Sequence, residues 1–366
     1  MGSAPARYLV FFQYFGTRYS GVMETKSDQA LVGVQNYLEK AAEQLKPSAP
    51  IKFQISSRTD SGVHALANAA HLDVQRAAGR APFTGQQLLQ GLNRHLRPEP
   101  IRILSAQRVP STFHARFCAL SRTYIYRLLL GCAHHSQIPV FERDLCWAPP
   151  GGPLDIAAMR AAAQLLQGTH DFSTFRAPQA EAQGAVRTLQ QLQLQPAPGL
   201  LGQHGLHGGL QFWEVRAKSR SFLYRQVRRM VGALVAVGQG RLGPAELQEL
   251  LQRRDPRALP PHATAPARGL FLHSVEYSPK ALPAEMIPAE FLQPCSEGRA
   301  QEQQLQGGKP KSEHSAAASS KEGPCATAEL PKPPSSPPGT PDSLQRNHQW
   351  HCRRAEPHGM GLLLLS

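Results

Sequence analysis

The chain lacks the residues and runs that mark several large protein classes. It has six cysteines in 366 residues, at positions 118, 132, 146, 295, 325 and 352, and none forms a Cys-x-x-Cys pair. No Cys/His cluster has zinc-ligand spacing, so a disulfide- or zinc-built module is excluded and the thiols read as incidental in a reducing compartment. No apolar run approaches the ~20 residues that span a bilayer, and the closing Leu362–Leu365 run is far shorter, so no membrane span is expected. Ala6 stands where a myristoylation signal needs Ser or Thr. No acidic residue precedes Glu24, while Arg7 and Arg18 do, a composition shared with organelle import segments. Arg7–Tyr14 nevertheless reads as a first strand. A soluble intracellular protein is expected, with mitochondrion and cytosol both open.

Acidic residues are scarce overall: 26 Asp and Glu face 40 Lys and Arg, a net charge of +14. The excess is unevenly placed. From residue 281 onward there are 8 basic and 9 acidic residues, whereas residues 1–280 hold 32 and 17, a net of +15. The basic charge therefore belongs to the part that folds, which points to a polyanionic partner or, more blandly, to a generally basic soluble protein.

Periodicity orders the first 280 residues. Residues 7–14 alternate about apolar positions and predict a strand. Leu31, Val34, Tyr37, Leu38, Ala41 and Leu45 follow at helical spacing, so a helix over 31–45 packs one face inward. Predicted strands over 51–55 and 68–75 flank a loop, and a helix bearing Leu88, Leu89, Leu92 and Leu96 leads to a strand over Ile101–Val109. Strand, helix, strand, strand, helix, strand is the ferredoxin-like split order. A similar series recurs: strand 122–130, helix 155–167 stopped by Gly168, strands 186–194 and 210–217, helix 222–237 and strand Leu270–Tyr277. Pro244 opens one more short helix as its first residue.

The expected fold is α+β, a pseudo-duplication of two ferredoxin-like halves on a mainly antiparallel central sheet with a cleft between them. Residues 1–110 form the first half, 111–280 the second, and 281–366 a low-complexity tail. The PKPPSSPP stretch at Pro331–Pro338 and its Gln/Ser/Ala-rich approach have too little apolar content to bury a core, so disorder is expected there.

The loop Ser56–Leu66, SSRTDSGVHAL, places Asp60 two residues from Arg58 at a glycine turn. Alone, Asp-Ser-Gly is an ordinary turn in which the carboxylate serves the backbone, and Arg58 alone reads equally as a loop-anchoring ion pair. Two further segments accompany it: FHARF (Phe113–Phe117) leading into SRTYIY (Ser121–Tyr126), and SFLYRQVRRMVG (Ser221–Gly232). GTRY at Gly16, THDFSTFR at Thr169, VRT at Val186 and APARGL at Ala265 complete an ordered set over residues 7–278. On these motifs the chain resembles the TruA family of tRNA pseudouridine synthases.

That resemblance implies an isomerase converting uridine to pseudouridine in structured RNA, tRNA foremost. It also implies no cofactor, no metal, and a homodimer with RNA across both subunits. Asp60 is then the catalytic carboxylate. The reaction breaks the N-glycosidic bond, turns the uracil and rejoins it through carbon without net hydrolysis. The carboxylate attacks the ribose C1′ or the base, or takes a sugar proton to give a glycal, and the residues leave all three routes open. Hydrolytic glycosidases instead pair two carboxyl groups. No second carboxyl lies near Asp60 in the loop, and Asp73 falls well into the next strand.

A sheltered carboxylate is kept ionised by a nearby guanidinium, a role the resemblance gives to Arg228. It gives Arg58 the extrusion of the target nucleotide and Tyr124 the stacking on uracil with a share in proton transfer, while Arg116 reads as an RNA or interdomain contact, phosphate first. His114 reads as an RNA or interdomain contact, His64 as a residue ordering the loop rather than a base, and Tyr126, on the same strand face as Tyr124, as packing. On the residues alone, Arg228 is also a surface position of an Arg225/Arg228/Arg229 helix, and Tyr124 a core ring. Ser57 and Ser61 stand where the family has Gly and Ala, and Val22–Thr25 lacks the aromatic and glutamine common there. These departures bear on RNA positioning more than on catalysis. Two rivals remain: a non-catalytic RNA-binding or RNA-folding protein on the same scaffold, and an RNA N-glycosidase with a second acid in the cleft.

Overall fold

Alternating apolar residues in ARYLVFFQY form strand β1 (Ala6–Tyr14), which pairs antiparallel with β3 (His64–Val74) on one side and β4 (Ile101–Arg108) on the other. The computed structural model describes residues 4–279 except 27, 133, 180–183, 198–208, 261 and 262; the tail expected over 281–366 lies outside the described residues. Short β2 (Gln54–Ile55) adds to β3. Helix α1 (Val34–Glu43) begins where Asn36 Oδ1 accepts from Gly33 N–H, and α2 (Gly85–His95) begins at a reciprocal cap between Thr84 and Gln87.

The second series starts with β5 (Ala119–Leu130). Helix α3 (Ile156–Leu166) is capped by Asp155 and ends before Gly168, whose φ of +109° is the turn expected from sequence. Strands β6 (Gly168–Asp171), β7 (Val186–Pro196) and β8 (Gln211–Ser219) follow, then α4 (Gln226–Gly238), α5 (Pro244–Arg253) with proline in its first turn, and β9 (Leu270–Tyr277). The nine strands among the described residues join one mostly antiparallel sheet in the order β4-β1-β3-β9-β5-β8-β7-β6, with β2 paired to β3 off this path. Five α-helices accompany it among the described residues. One continuous apolar core runs from Ala6 to Tyr277.

Four elements depart from expectation. The strand expected over 51–55 is reduced to β2 at Gln54–Ile55, the two residues that pair with β3. Strand β3 begins at His64 rather than 68, because its Ala-rich start is buried without the alternation that marks a half-exposed strand. Strand β6 was not expected: Gly-Thr-His-Asp lacks strand periodicity and exists by pairing with β7. Helix α4 begins at Gln226, not 222, because Arg225 takes the left-handed backbone conformation at φ 61°. Among the described residues, the one parallel pairing of named strands is the short β3–β9 seam, His64 opposite Phe271 and Ala65 opposite Leu272. The Asp60 loop ends on that seam.

Candidate active site

The loop Ser56–Val63 is held by backbone and short side chains. Ser56 N–H donates to Ala69 O and its Oγ to Ala115 O, both at 2.8 Å. Asn68 Nδ2 donates to Ser57 O at 2.9 Å, and Thr59 Oγ1 shares a 2.7 Å hydrogen bond with the buried Tyr14 hydroxyl. Thr59 O accepts from Val22 N–H, and Ser61 Oγ donates to Tyr19 O, both at 3.2 Å. So the Val22 segment, despite its departure from the family pattern, braces the loop. Gly62 turns the chain at φ +76°, and Gly21 lies so close that a Cβ there would sit 2.8 Å from Thr59 O. The carboxylate of Asp60 is the loop group left facing the cleft beside Arg58.

His64 locks the loop's exit. Its Nδ1 accepts from Gly16 N–H at 3.0 Å, which places the proton on Nε2, within 3.1 Å of Asp144 O and 3.2 Å of Arg268 O. The ring stacks on Phe271 and burial lowers its basicity. It therefore orders the loop, as expected.

Arg228, on the first turns of α4, reaches Asp60: Nη1 lies 3.3 Å from Oδ2 while Nε donates to Ala265 O at 2.8 Å. The Arg228 and Asp60 side chains are only 14% and 19% exposed. Burial pushes the Asp60 carboxyl above its ordinary value, and Arg228 and Arg225 pull the other way without cancelling it. Desolvation thus shifts the group further than the two guanidinia shift it back. Tyr124, on β5, is buried with its ring edge-on to Phe222 at 5.2 Å, and burial holds its phenol protonated. Arg58 and Arg116 are exposed, and neither has an ion-pair partner among the described residues. A loop-anchoring ion pair at Arg58 is therefore not found. Tyr126 packs, its hydroxyl on Pro266 O, as read from sequence.

The residue that sequence reasoning missed is Arg122. Its buried guanidinium donates to Ser57 Oγ, Ser56 O and Ser56 Oγ at 3.2 Å, to Arg116 O at 2.9 Å and to Arg220 O at 2.7 Å. One side chain staples the Asp60 loop to both segments that flank the cleft. Ser57, a departure from the family pattern, supplies one of its acceptors, and that hydroxyl was the available signal. Arg229, beside Arg228, is also buried, its Nη2 serving Thr174 O, Pro256 O and Leu259 O. It belongs to the core and not to the cleft.

Asp60, Arg58, Tyr124, Arg116 and Arg228 all line one cleft of about 1010 Å3, together with Arg122, Arg220 and Arg225. Asp60 is the sole carboxylate among the described residues that line it. Asp73 is engaged elsewhere, in a two-point pair with Arg7 at 2.7 and 2.8 Å that lowers its pKa. Among the described residues no group of three or more His, Cys, Asp or Glu is placed to hold a metal ion. No described helix is long and apolar enough to cross a membrane.

A family model described as tRNA pseudouridine synthase matches residues 10–118 and 162–278. The chain belongs to this family. Its members are isomerases, and the expected TruA resemblance holds. The chain is 54% identical over 279 residues to the Xenopus laevis protein named tRNA pseudouridine synthase-like 1, across 76% of this chain and 93% of that one. The Homo sapiens protein of that name is 53% identical over 279 residues, 75% and 91% of the two chains. The tRNA pseudouridine synthase A of Methylobacterium nodulans is 39% identical over 278 residues, 76% and 98% of the two chains. Tyr124 and Arg122 fall in the stretch between the two matched segments of the family model.

Proposed function

We propose that this chain is an RNA pseudouridine synthase acting on tRNA, with Asp60 as its catalytic carboxylate. One observation carries the reading: a single, largely sheltered acid paired with Arg228 at 3.3 Å in a cleft whose other charged lining residues, among those described, are all arginines. Polyanion binding alone has no use for a carboxylate among phosphates, which disfavours the non-catalytic RNA-binding or RNA-folding alternative. An N-glycosidase would pair it with a second acid, and the described lining has none.

The target uridine leaves its stack to enter the cleft. Arg58 and Arg116, exposed and without ion-pair partners among the described residues, take the phosphates beside it. Tyr124 stacks on the uracil, and its protonated phenol is a hydrogen-bond donor rather than a resting base. Asp60, ionised and steadied by Arg228, carries the covalent or proton-transfer step that frees the uracil from C1′. The ring turns, C1′ joins C5, and the C5 proton departs while N1 gains one, so the reaction balances without water.

The two-half architecture is part of the same reading. Residues 1–110 run β4-β1-β3 with β2 on β3, and residues 111–280 run β9-β5-β8-β7 with β6 beyond, an order that, β6 apart, supports one strand plan for both halves. A duplication places Asp60 on one half and Arg228 on the other, with the catalytic pair spanning them. A homodimer with RNA across both subunits is carried over from the family resemblance, and sedimentation of the purified chain tests it.

The decisive experiment maps pseudouridine in RNA from cells supplied with wild-type protein or Asp60→Ala. Specific pseudouridines are expected to vanish with the variant while RNA binding persists. Identical maps with and without the carboxylate would move the assignment to the binding-only reading.

A further inference from the structure

Two aromatic rings in the cleft stand exposed. Phe117 is 68% exposed and Tyr224 is 45% exposed, although both line the cavity that holds Asp60. Each has an arginine over its face: Arg116 lies 5.7 Å from the Phe117 centroid, and Arg225 lies 5.0 Å from the Tyr224 centroid. An exposed ring capped by a guanidinium gains little for folding, since water competes for both partners.

The backbones beneath these rings are rigid. The Arg122 guanidinium binds Arg116 O and Arg220 O, tying the two ring-bearing segments to one another and to the Asp60 loop. Tyr224 O accepts from Ala177 N–H at 3.0 Å, and the left-handed Arg225 that follows keeps Tyr224 out of α4. Phe117 is propped by His114 at 4.3 Å, which in turn meets His71 at 4.6 Å. A held backbone under an exposed ring, with only a mobile guanidinium over it to displace, suits a stacking surface, and the surrounding charge selects the occupant. An apolar protein patch would not welcome six cleft arginines against one carboxylate, whereas a single-stranded polyanion carrying flat bases matches both features.

We propose that Phe117 and Tyr224 are base-stacking platforms for single-stranded RNA nucleotides lying along the cleft beside the target, with Arg116 and Arg225 meeting the adjoining phosphates. This rests on the synthase reading and deepens it. Because every base offers a π-face, these platforms grip unstacked RNA without reading its sequence.

The test uses the full chain carrying Asp60→Asn, so that RNA is not turned over. The probe is a short single-stranded oligoribonucleotide with a fluorescent adenine analogue beside its single uridine, at fixed salt. Binding should quench the analogue. Phe117→Leu and Tyr224→Leu should each weaken binding by about 5- to 150-fold and relieve the quench. Phe117→Tyr and Tyr224→Phe, which keep a ring, should restore both. Thermal melts confirm that the exposed substitutions leave the fold intact.

Leucine variants that bind and quench like their parent would overturn the proposal. So would leucine variants that only dissolve a self-associated form while RNA binding stays unchanged, which assigns the rings to a protein interface. The two readings fail separately. Pseudouridine formed by a wild-type chain that never quenches the probe ends the stacking proposal alone, whereas ring-dependent quenching by a chain that forms no pseudouridine supports it and ends the synthase reading.

Discussion

The loop that carries Asp60 holds its shape through serines, a threonine and glycines, whereas the start of α4 that faces it holds its shape through arginines. In the loop, the hydroxyls of Ser56, Ser57, Thr59 and Ser61 are all hydrogen-bonded, so the acid is presented by a structure with little freedom left. At the start of α4, three arginines within five residues meet three different fates. Arg225 adopts a left-handed backbone and lines the cleft, Arg228 pairs with Asp60, and Arg229 is buried among carbonyls. Adjacent helix positions point about 100° apart, so neighbours with the same chemistry divide between site and core. Identical charge does not mean identical role.

Substituting Asp60 should produce the largest effect and separate the regions most sharply. Asp60→Asn is expected to lower turnover by at least about a hundredfold, on the scale of a lost acid-base or nucleophilic group. It should not lower the melting temperature at neutral pH. A carboxyl whose folded pKa lies above its unfolded value binds its proton more tightly when folded, so its charged form costs stability above that folded value. The cost fades as pH falls through the folded pKa towards the unfolded one, and the melting temperatures of variant and parent should converge there. A clear drop in melting temperature at neutral pH would mean that the loop depends on the carboxylate for its structure.

Next in size is the contrast between the neighbouring arginines. Arg229→Met strands three buried carbonyls and should cost about 2–4 kcal/mol in denaturant unfolding. Arg228→Met should cost much less stability and far more activity. If the two variants traded these outcomes, the division between site and core would be wrong. Arg228→Gln sharpens the same point through pH. Without that cation the Asp60 carboxyl is held still higher, so the acid limb of the kcat profile should move to higher pH. An unmoved limb would detach Arg228 from the titrating group.

The smallest expected effect is at the rim. Arg58→Ala should weaken RNA binding severalfold and reduce the slope of log affinity against log salt by about 1, with kcat little altered. An unchanged slope would take Arg58 off the phosphates.

Much of this molecule can be read without coordinates. Helix and strand periodicity places nearly every element, and the ordered motifs around Asp60, Tyr124 and Arg228 point to one cleft before any contact is known. The failures share a cause. Strand β6 is made by its partner, the first turn of the expected α4 is unwound by Arg225, and Arg122 looks like one more basic residue until three segments close around it.

What the chain's own order of residues determines is local: turns at glycine, caps at Thr84 and Asp155, amphipathic faces, and the presence of an acid and its candidate cations. The family resemblance singles out Arg228 as the acid's partner, but the order of residues alone does not, because Asp60 and Arg228 are 168 positions apart and meet at 3.3 Å only once the chain has folded. The same holds for the state of the carboxylate. Its ionisation depends on how much water the assembled cleft removes and where the guanidinia lie around it, and neither quantity exists until the chain has folded.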